Sequence, residues 1–406
     1  SVLLALVMAL SLTTLAWATE PMSDYVQVNG IKEFDGEKFS TFEAAYNAIQ
    51  PKIAELAKNP NNASTGLVEE PVSADKFDAF FSDVDANGNA TLTYTIKGNV
   101  TYDETSLDHL LTMGRAASHY ANVTEDFSGR HLINFKFVGA DANRGATLTV
   151  NSDITLPYEW WGEEVTTSIS FENLTITGTA PSGLYTKQAY FEKIAFSVNN
   201  CTLKGIKIYN CDNVGGSYTI TNSTLDGTGA AKDAYAIHLQ GHKTAPLTIT
   251  ISNNTISGYD RGVNIDQKTA RATIHGNTIS IVDKGRSCVQ LTGLTSADIT
   301  NNNLVLTGGN AITLHEGLLD LSAAPTISIT GNTITGTGYF IYDDATANGT
   351  VFTQNDLTLT VNGNSIPGTV KTTEGIKGTT IGENSGYVAK AVEANVPPTP
   401  PVTPVD

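Results

Sequence analysis

The stretch that decides the fold is Asn253-Asn254-Thr255-Ile256-Ser257-Gly258. An asparagine-rich turn leads into a β-branched residue, an aliphatic and then small residues, and the same order returns along the chain. Asn200-Cys201-Thr202-Leu203 and Asn222-Ser223-Thr224-Leu225 precede it, and Asn277-Thr278-Ile279, Asn302-Asn303-Leu304, Asn332-Thr333-Ile334 and Asn364-Ser365-Ile366 follow. Asn173-Leu174-Thr175-Ile176 reads as the first member. The aliphatic positions, from Ile176 to Ile366, recur every 22 to 32 residues. The shortest steps fit a minimal coil, and the longer ones leave room for loops on one face.

A second pattern advances in parallel with the first. It runs through Ala236-Ile237-His238-Leu239-Gln240, Gly262-Val263-Asn264-Ile265-Asp266, Cys288-Val289-Gln290-Leu291-Thr292, Ala311-Ile312-Thr313-Leu314-His315 and Tyr339-Phe340-Ile341-Tyr342-Asp343. Two strand registers moving together at a near-constant period fit a solenoid better than a sandwich. One coil of about 25 residues cannot hide its aliphatics alone, so each must lie on the next, at ~4.8 Å. Asparagines stacked in this way can hydrogen-bond along the pile as amide ladders do. Open ends of such a stack invite aggregation and need covers.

Outward from this core the texture changes. Residues 2–12 (VLLALVMALSL) are apolar but shorter than the ~20 residues a membrane span needs, and Ala16-Trp17-Ala18 follows as a small-x-small cleavage signal. Residues 1–18 are therefore expected to be an export signal. Ser40-Thr41-Phe42-Glu43 reads as a capping box. After it Phe42, Ala45, Tyr46 and Ile49 mark one helical face, which Pro51 should interrupt. A second short helix is expected at residues 106–113, and residues 90–102 (ATLTYTIKGNVTY) read as a hairpin about Lys97-Gly98-Asn99. Residues 396–405 (VPPTPPVTPV) form a proline-rich extended spacer.

With these residues in view, the chain resembles the right-handed, single-stranded parallel β-helix proteins of the pectate-lyase-like superfamily. The Asn-x-Thr-Ile-x-Gly repeats carry the likeness over residues 130–370, and Phe39-Ser40-Thr41-Phe42-Glu43-Ala44-Ala45 is similar to that group's N-terminal capping helix. The expected fold class is thus all-β, a solenoid with an N-terminal α/β capping region. The expected divisions are a signal at 1–18, a cap region at 19–130, the β-helix at 131–370, a connector at 371–395 and a stalk at 396–406. Export plus a proline-rich stalk resembles the surface proteins of Gram-positive bacteria, and implies a secreted or wall-attached, extracellular, monomeric protein.

Composition narrows the partners. Forty-one acidic residues against 24 basic ones give a formal net charge of −17 in a chain of 406 residues. Such a balance argues against nucleic acid, whose phosphates demand clustered Lys and Arg. Three cysteines are too few for a disulfide scaffold. Cys201 and Cys211 could pair, leaving Cys288, and buried or free thiols are the simpler expectation.

Alternation along the strands places two columns of side chains outward. One would read His238, Asn264, Gln290, Thr313, Ile341; the other Gln240, Asp266, Thr292, His315, Asp343. His315 and Asp343 would then be neighbours, with Asp266 two rungs away and Glu316 and Asp344 just beyond. Arg261, Lys268 and His242 would border this face. It could serve as a polar groove for an extended sugar chain, with acid–base chemistry at His315, Asp343 and Asp266. More plainly, it could be a solvated strand face. Trp160 and Trp161 could form a sugar-stacking platform or plug a coil edge.

The resemblance implies a stricter test of activity. Polygalacturonase-like members carry Asn-Thr-Asp, Asp-Asp, Gly-His-Gly and Arg-Ile-Lys motifs. In this chain Asp343-Asp344 stands alone and Gly241-His242 is followed by Lys243. Pectate-lyase-like members hold calcium in an acidic cluster beside an arginine base, which Asp260-Arg261 and Asp266 match only loosely. Residues 83–89 (DVDANGN) resemble the start of a calcium loop, but Tyr94 stands where the closing Glu belongs, so a tight turn is expected and no cofactor. The Asn-x-Ser/Thr triplets at Asn99, Asn122, Asn173, Asn200, Asn222 and Asn253 follow from the repeat itself. The expected function is glycan or polysaccharide binding of an adhesin kind, with a polysaccharide lyase or glycoside hydrolase in the same groove as the alternative, and a structural spacer as a third.

Overall fold

The computed structural model describes residues 22–56, 74–86, 88–102, 133–151, 154–155, 166–179, 184–187, 193–211, 215–241, 246–282, 286–344, 356–367, 369–371 and 380–381. The expected export signal, the helix at 106–113, Trp160, Trp161, His242 and the proline-rich stalk lie outside them, as does most of the connector. The chain divides into two compact units, Ser1–Ala231 and Lys232–Asp406. Each is built from stacked coils of a right-handed parallel β-helix.

In the second unit every coil begins with a strand of the first sheet. Leu247–Ser252, Ala270–His275, Ser296–Thr300, Thr326–Thr330 and Thr358–Asn362 pair in parallel, with Ile251 on Ile274 and Ile299 on Ile329. The chain then turns a corner through a residue with positive φ: Asn253 at 57°, Gly276 at 66°, Asn301 at 55°, Gly331 at 66° and Gly363 at 65°. Glycine and asparagine are the residues that tolerate this left-handed conformation, which explains the polar half of the repeat. After the corner Ile256 lies on Ile279, Ile279 on Leu304 and Leu304 on Ile334, all buried.

The residue just past each corner points into the stack. Asn254, Asn277, Asn302, Asn332 and Asn364 form a buried ladder. The Oδ1 of Asn302 accepts from the backbone N–H and the Nδ2 of Asn277, both at 2.9 Å. Its own Nδ2 donates to Asn332 Oδ1 at 2.9 Å and to the Ile274 carbonyl at 2.8 Å. Each interior amide thus uses both lone pairs and both protons, which is the condition for burying it without penalty.

The first unit repeats the scheme with other residues. Ala90–Lys97, Ile133–Gly139, Thr166–Glu172, Lys193–Asn199 and Gly215–Thr221 pair in parallel. Leu148, Ile176, Leu203 and Leu225 stack in register behind them. Cys201 and Ser223 occupy the inward position past the corner, and Ser223 Oγ accepts from the Cys201 N–H at 3.0 Å. Arg144 lies along the outside of the corners. Its guanidinium donates to Asn200 Oδ1 at 2.8 Å, to the Asn222 carbonyl at 2.8 Å and to Thr202 Oγ1 at 3.1 Å, pinning successive coils together.

At the start of this unit Tyr25–Asn29 runs antiparallel to Ala90–Lys97 and pairs with Glu37–Phe39. The helix Phe42–Leu56 follows. Phe42, Ala45 and Ile49 are buried, and the Phe42 ring meets Tyr94 at 5.8 Å and Phe137 at 6.2 Å. Tyr94, Phe137 and Phe171 continue as a stack, 5.3 and 5.2 Å between centroids. The helix is capped by Thr41, whose Oγ1 accepts from the Ala44 N–H at 3.0 Å, rather than by Ser40, and it runs through Pro51. The expected hairpin is absent. Ala90–Lys97 belongs to the first sheet and Asn99–Tyr102 to the second, because Gly98 (φ 67°) turns a coil corner. Alternation alone cannot tell these two turns apart.

Candidate binding face

The candidate residues sit on the second sheet of the second unit. Five successive strands carry them: Tyr235–Gly241, Arg261–Gln267, Ser287–Gly293, Asn303–Leu314 and Thr333–Asp343. Inward alternation buries Ile237, Leu239, Val263, Ile265, Val289, Leu291, Ile312 and Leu314. The side chains between them therefore face out, and register stacks His238 on Asn264, Asn264 on Gln290 and Gln290 on Thr313, as the sequence pattern anticipates. Gln240 lies opposite Asp266, but Asp266 meets Gly293 through a bulge rather than Thr292.

The last rung differs from expectation by one residue. Thr313 pairs with Tyr342, not Ile341, and Asp343 pairs with Leu314. A one-residue slip moves a side chain to the opposite face. Asp343 therefore lies in the inward column, 2% exposed, and does not stand beside His315 on the outer face. The cause is a bulge between Thr307 and Asn310, where Gly338 passes so close to the previous coil that a Cβ would sit 1.9 Å from the Gly309 carbonyl oxygen. Asp344 takes the place expected for Asp343. Its Oδ2 lies 3.4 Å from His315 Nε2, while His315 Nδ1 accepts from the Gly317 N–H at 3.1 Å. That second contact puts the imidazole proton on Nε2, facing the carboxylate. Asp266 stays two strands away, Glu316 is exposed on the short 3-10 helix Glu316–Asp320, and Lys268 is exposed in the turn after its strand.

Around the anticipated Arg261 and His238, the structure adds Tyr235, Asp233 and Arg286, which the alternation did not bring out. Arg261 donates to Tyr235 Oη at 2.9 Å and lies 4.9 Å from the centre of that ring, while the His238 ring lies tilted against Tyr235, 4.7 Å between centroids. Arg261 and Arg286 share the Asp233 Oδ1, at 3.4 and 3.2 Å. Desolvation would raise the Asp233 carboxyl, but the two guanidinium groups outweigh it and hold the group below the usual carboxylate range. Between these ends, Thr292 Oγ1 donates to Asn264 Oδ1 at 3.0 Å, Ser287 and Thr313 share a 2.6 Å hydrogen bond, and Asn310 Nδ2 donates to Thr313 Oγ1 at 3.2 Å. Tyr339 and Tyr342 close the far end, edge to face at 5.6 Å. A column offset of 29 residues, instead of 28, would have placed Tyr342 and Asp344 from sequence alone.

The calcium-like loop is a tight turn. Asp85 N–H donates to the Asn89 carbonyl at 2.8 Å and Asp85 Oδ1 accepts from the Asn89 N–H at 2.9 Å, so this carboxylate closes its own loop. Cys201 and Cys288 are free and buried, and desolvation pushes their thiols up to about 11 and about 12.

Stacked parallel coils with a polar outer strip on one sheet define the class, a parallel β-helix. Residues 169–385, more than half of the chain, match the family model described as periplasmic copper-binding protein (NosD), and the chain belongs to that family. No curated protein and no solved structure matches it. Copper selects thiolate, thioether and imidazole ligands converging on one point. Among the described residues no group of three or more His, Cys, Asp or Glu side chains converges. The two buried thiols direct their sulfurs at backbone carbonyls, Phe171 and Ile279 among them. His275 lies on the first sheet, and His238 and His315 are three strands apart on the second. The described residues do not fit a copper ion. Among them, too, no helix is long and apolar enough to cross a membrane.

Proposed function

We propose that this protein works outside the cytoplasm as a binding β-helix, presenting the outer face of the second sheet in its second unit to a polysaccharide. The observation that carries this reading is the composition of the five-strand face. Asn264, Ser287, Asn310 and Thr313 are almost wholly buried yet polar and tied to one another or to neighbouring hydroxyls. A strand face that merely met water would not need its polar groups fixed and shielded in this way; a face that orients a polyhydroxylated ligand would. The family description, periplasmic, agrees with action in the cell envelope.

A glycan array spanning neutral, acidic and host-type sugars tests the reading, and binding that is lost in Asn264→Ala is the expected result. A second reading, cleavage of the bound chain, rests on the His315–Asp344 pair at 3.4 Å. Assays of unsaturated products and reducing ends separate the two. Turnover abolished by His315→Ala would make the protein an enzyme, whereas an array without any signal would leave a structural spacer.

A further inference from the structure

The same face carries information about which class of polysaccharide it suits, and this inference rests on the reading just given. Its two ends are aromatic. Tyr235 and His238 stand on the first of the five strands, Tyr339 and Tyr342 on the last, and each is half-buried. Four rung spacings of about 4.8 Å separate those ends, so the two aromatic pairs lie ~19 Å apart along the stack. The floor between them is polar, with the part-exposed Gln290 between the nearly buried Asn264 and Thr313 in one column.

The two arginines at the edge already have a carboxylate partner. Arg261 and Arg286 both engage Asp233 Oδ1, and the Asp233 backbone N–H donates to Asp260 Oδ2 at 2.6 Å, which fixes the segment that carries this carboxylate. An incoming carboxylate would have to displace Asp233 from two guanidinium groups, while Asp266, Asp344 and Glu316 line the opposite edge. A chain with a net charge of −17 also repels polyanions from a distance. Sugar rings without charge have none of these costs. Their hydroxyls match amide and hydroxyl partners, and their C–H faces stack on tyrosine.

We propose that the face binds an uncharged, linear polysaccharide lying along the stack, across the coils, with sugar rings on the Tyr235 and Tyr342 ends and the amide–hydroxyl floor between. Isothermal titration of the full chain with cello-, xylo- and manno-oligosaccharides and with oligogalacturonates tests it. One of the neutral series is expected to bind with an affinity that climbs as the chain lengthens and levels once it spans both tyrosine ends. Tyr235→Ala and Tyr342→Ala are each expected to weaken the longest ligands about tenfold. Tyr342→Phe keeps the ring and is expected to restore binding, which separates stacking from misfolding. Tighter binding of oligogalacturonates than of every neutral series would overturn the neutral assignment while leaving the glycan-binding reading intact. Neutral binding without dependence on length or on either tyrosine would overturn the placement, and no binding by any series would overturn both.

Discussion

At the residue scale, one side-chain type performs two different tasks in adjacent positions. Asn301 supplies a left-handed corner, and Asn302 supplies a buried rung of the amide ladder. Their identical chemistry hides this division in the sequence, where both read as turn asparagines. The structural difference gives a clear expectation. Asn302→Ala leaves the Asn277 N–H without its partner, strands one of the two Asn277 Nδ2 protons while the other keeps the Ile251 carbonyl, and takes a donor from the Ile274 carbonyl. At roughly 1–3 kcal/mol for each orphaned group, the loss should be at least about 3 kcal/mol. Asn301→Gly keeps the corner and should change stability by a few tenths of a kcal/mol at most. Urea unfolding of the two variants measures the contrast, and equal midpoints would mean that the ladder contributes nothing beyond the turn.

At the element scale, the repeat was legible in the sequence wherever the coil period stayed regular. Leu203 on Leu225 and Ile256 on Ile279 follow directly from the aligned aliphatics, and so do His238, Asn264, Gln290 and Thr313 on one face. Legibility failed where a bulge altered the count. Between Thr307 and Asn310 the ladder skips, and the whole last rung turns over, carrying Asp343 inward and Tyr342 outward. Periodicity reports spacing but not the local geometry that absorbs an extra residue. Glycine marks the place: at Gly336, with φ 90°, a Cβ would lie 2.0 Å from the Leu306 carbonyl oxygen. Gly336→Ala must therefore push the final rung off the previous coil. Hydrogen exchange is expected to show protection lost across Thr333–Asp343 and retained across Leu247–Ser252. Unchanged protection in the last rung would refute the close approach as the determinant of register.

At the scale of the whole molecule, the two units share one building rule and differ in what fills the inward corner position, Cys201 and Ser223 in one and asparagine throughout the other. The sequence was least explicit about the outer surface, where the proposed binding face lies. Polar residues face outward on any exposed strand, so the sequence left Arg261 and Asn264 open between a sugar groove and a solvated face. What distinguishes them is convergence. Arg261 meets Tyr235 from the neighbouring coil, and Asp233 gathers Arg261 and Arg286 from two different coils. Contacts of that kind depend on register between coils and cannot be read from one coil alone. The family assignment extends across this surface, and among the described residues no copper ligands converge on it.

The most direct measurement is hydrogen–deuterium exchange of the full chain with and without the oligosaccharide that binds best. Added protection is expected in Tyr235–Gly241, Arg261–Gln267, Ser287–Gly293 and Thr333–Asp343, with no change in the first-sheet strands Ala270–His275 and Ser296–Thr300. Protection confined to the first sheet, or spread evenly over the chain, would contradict the account.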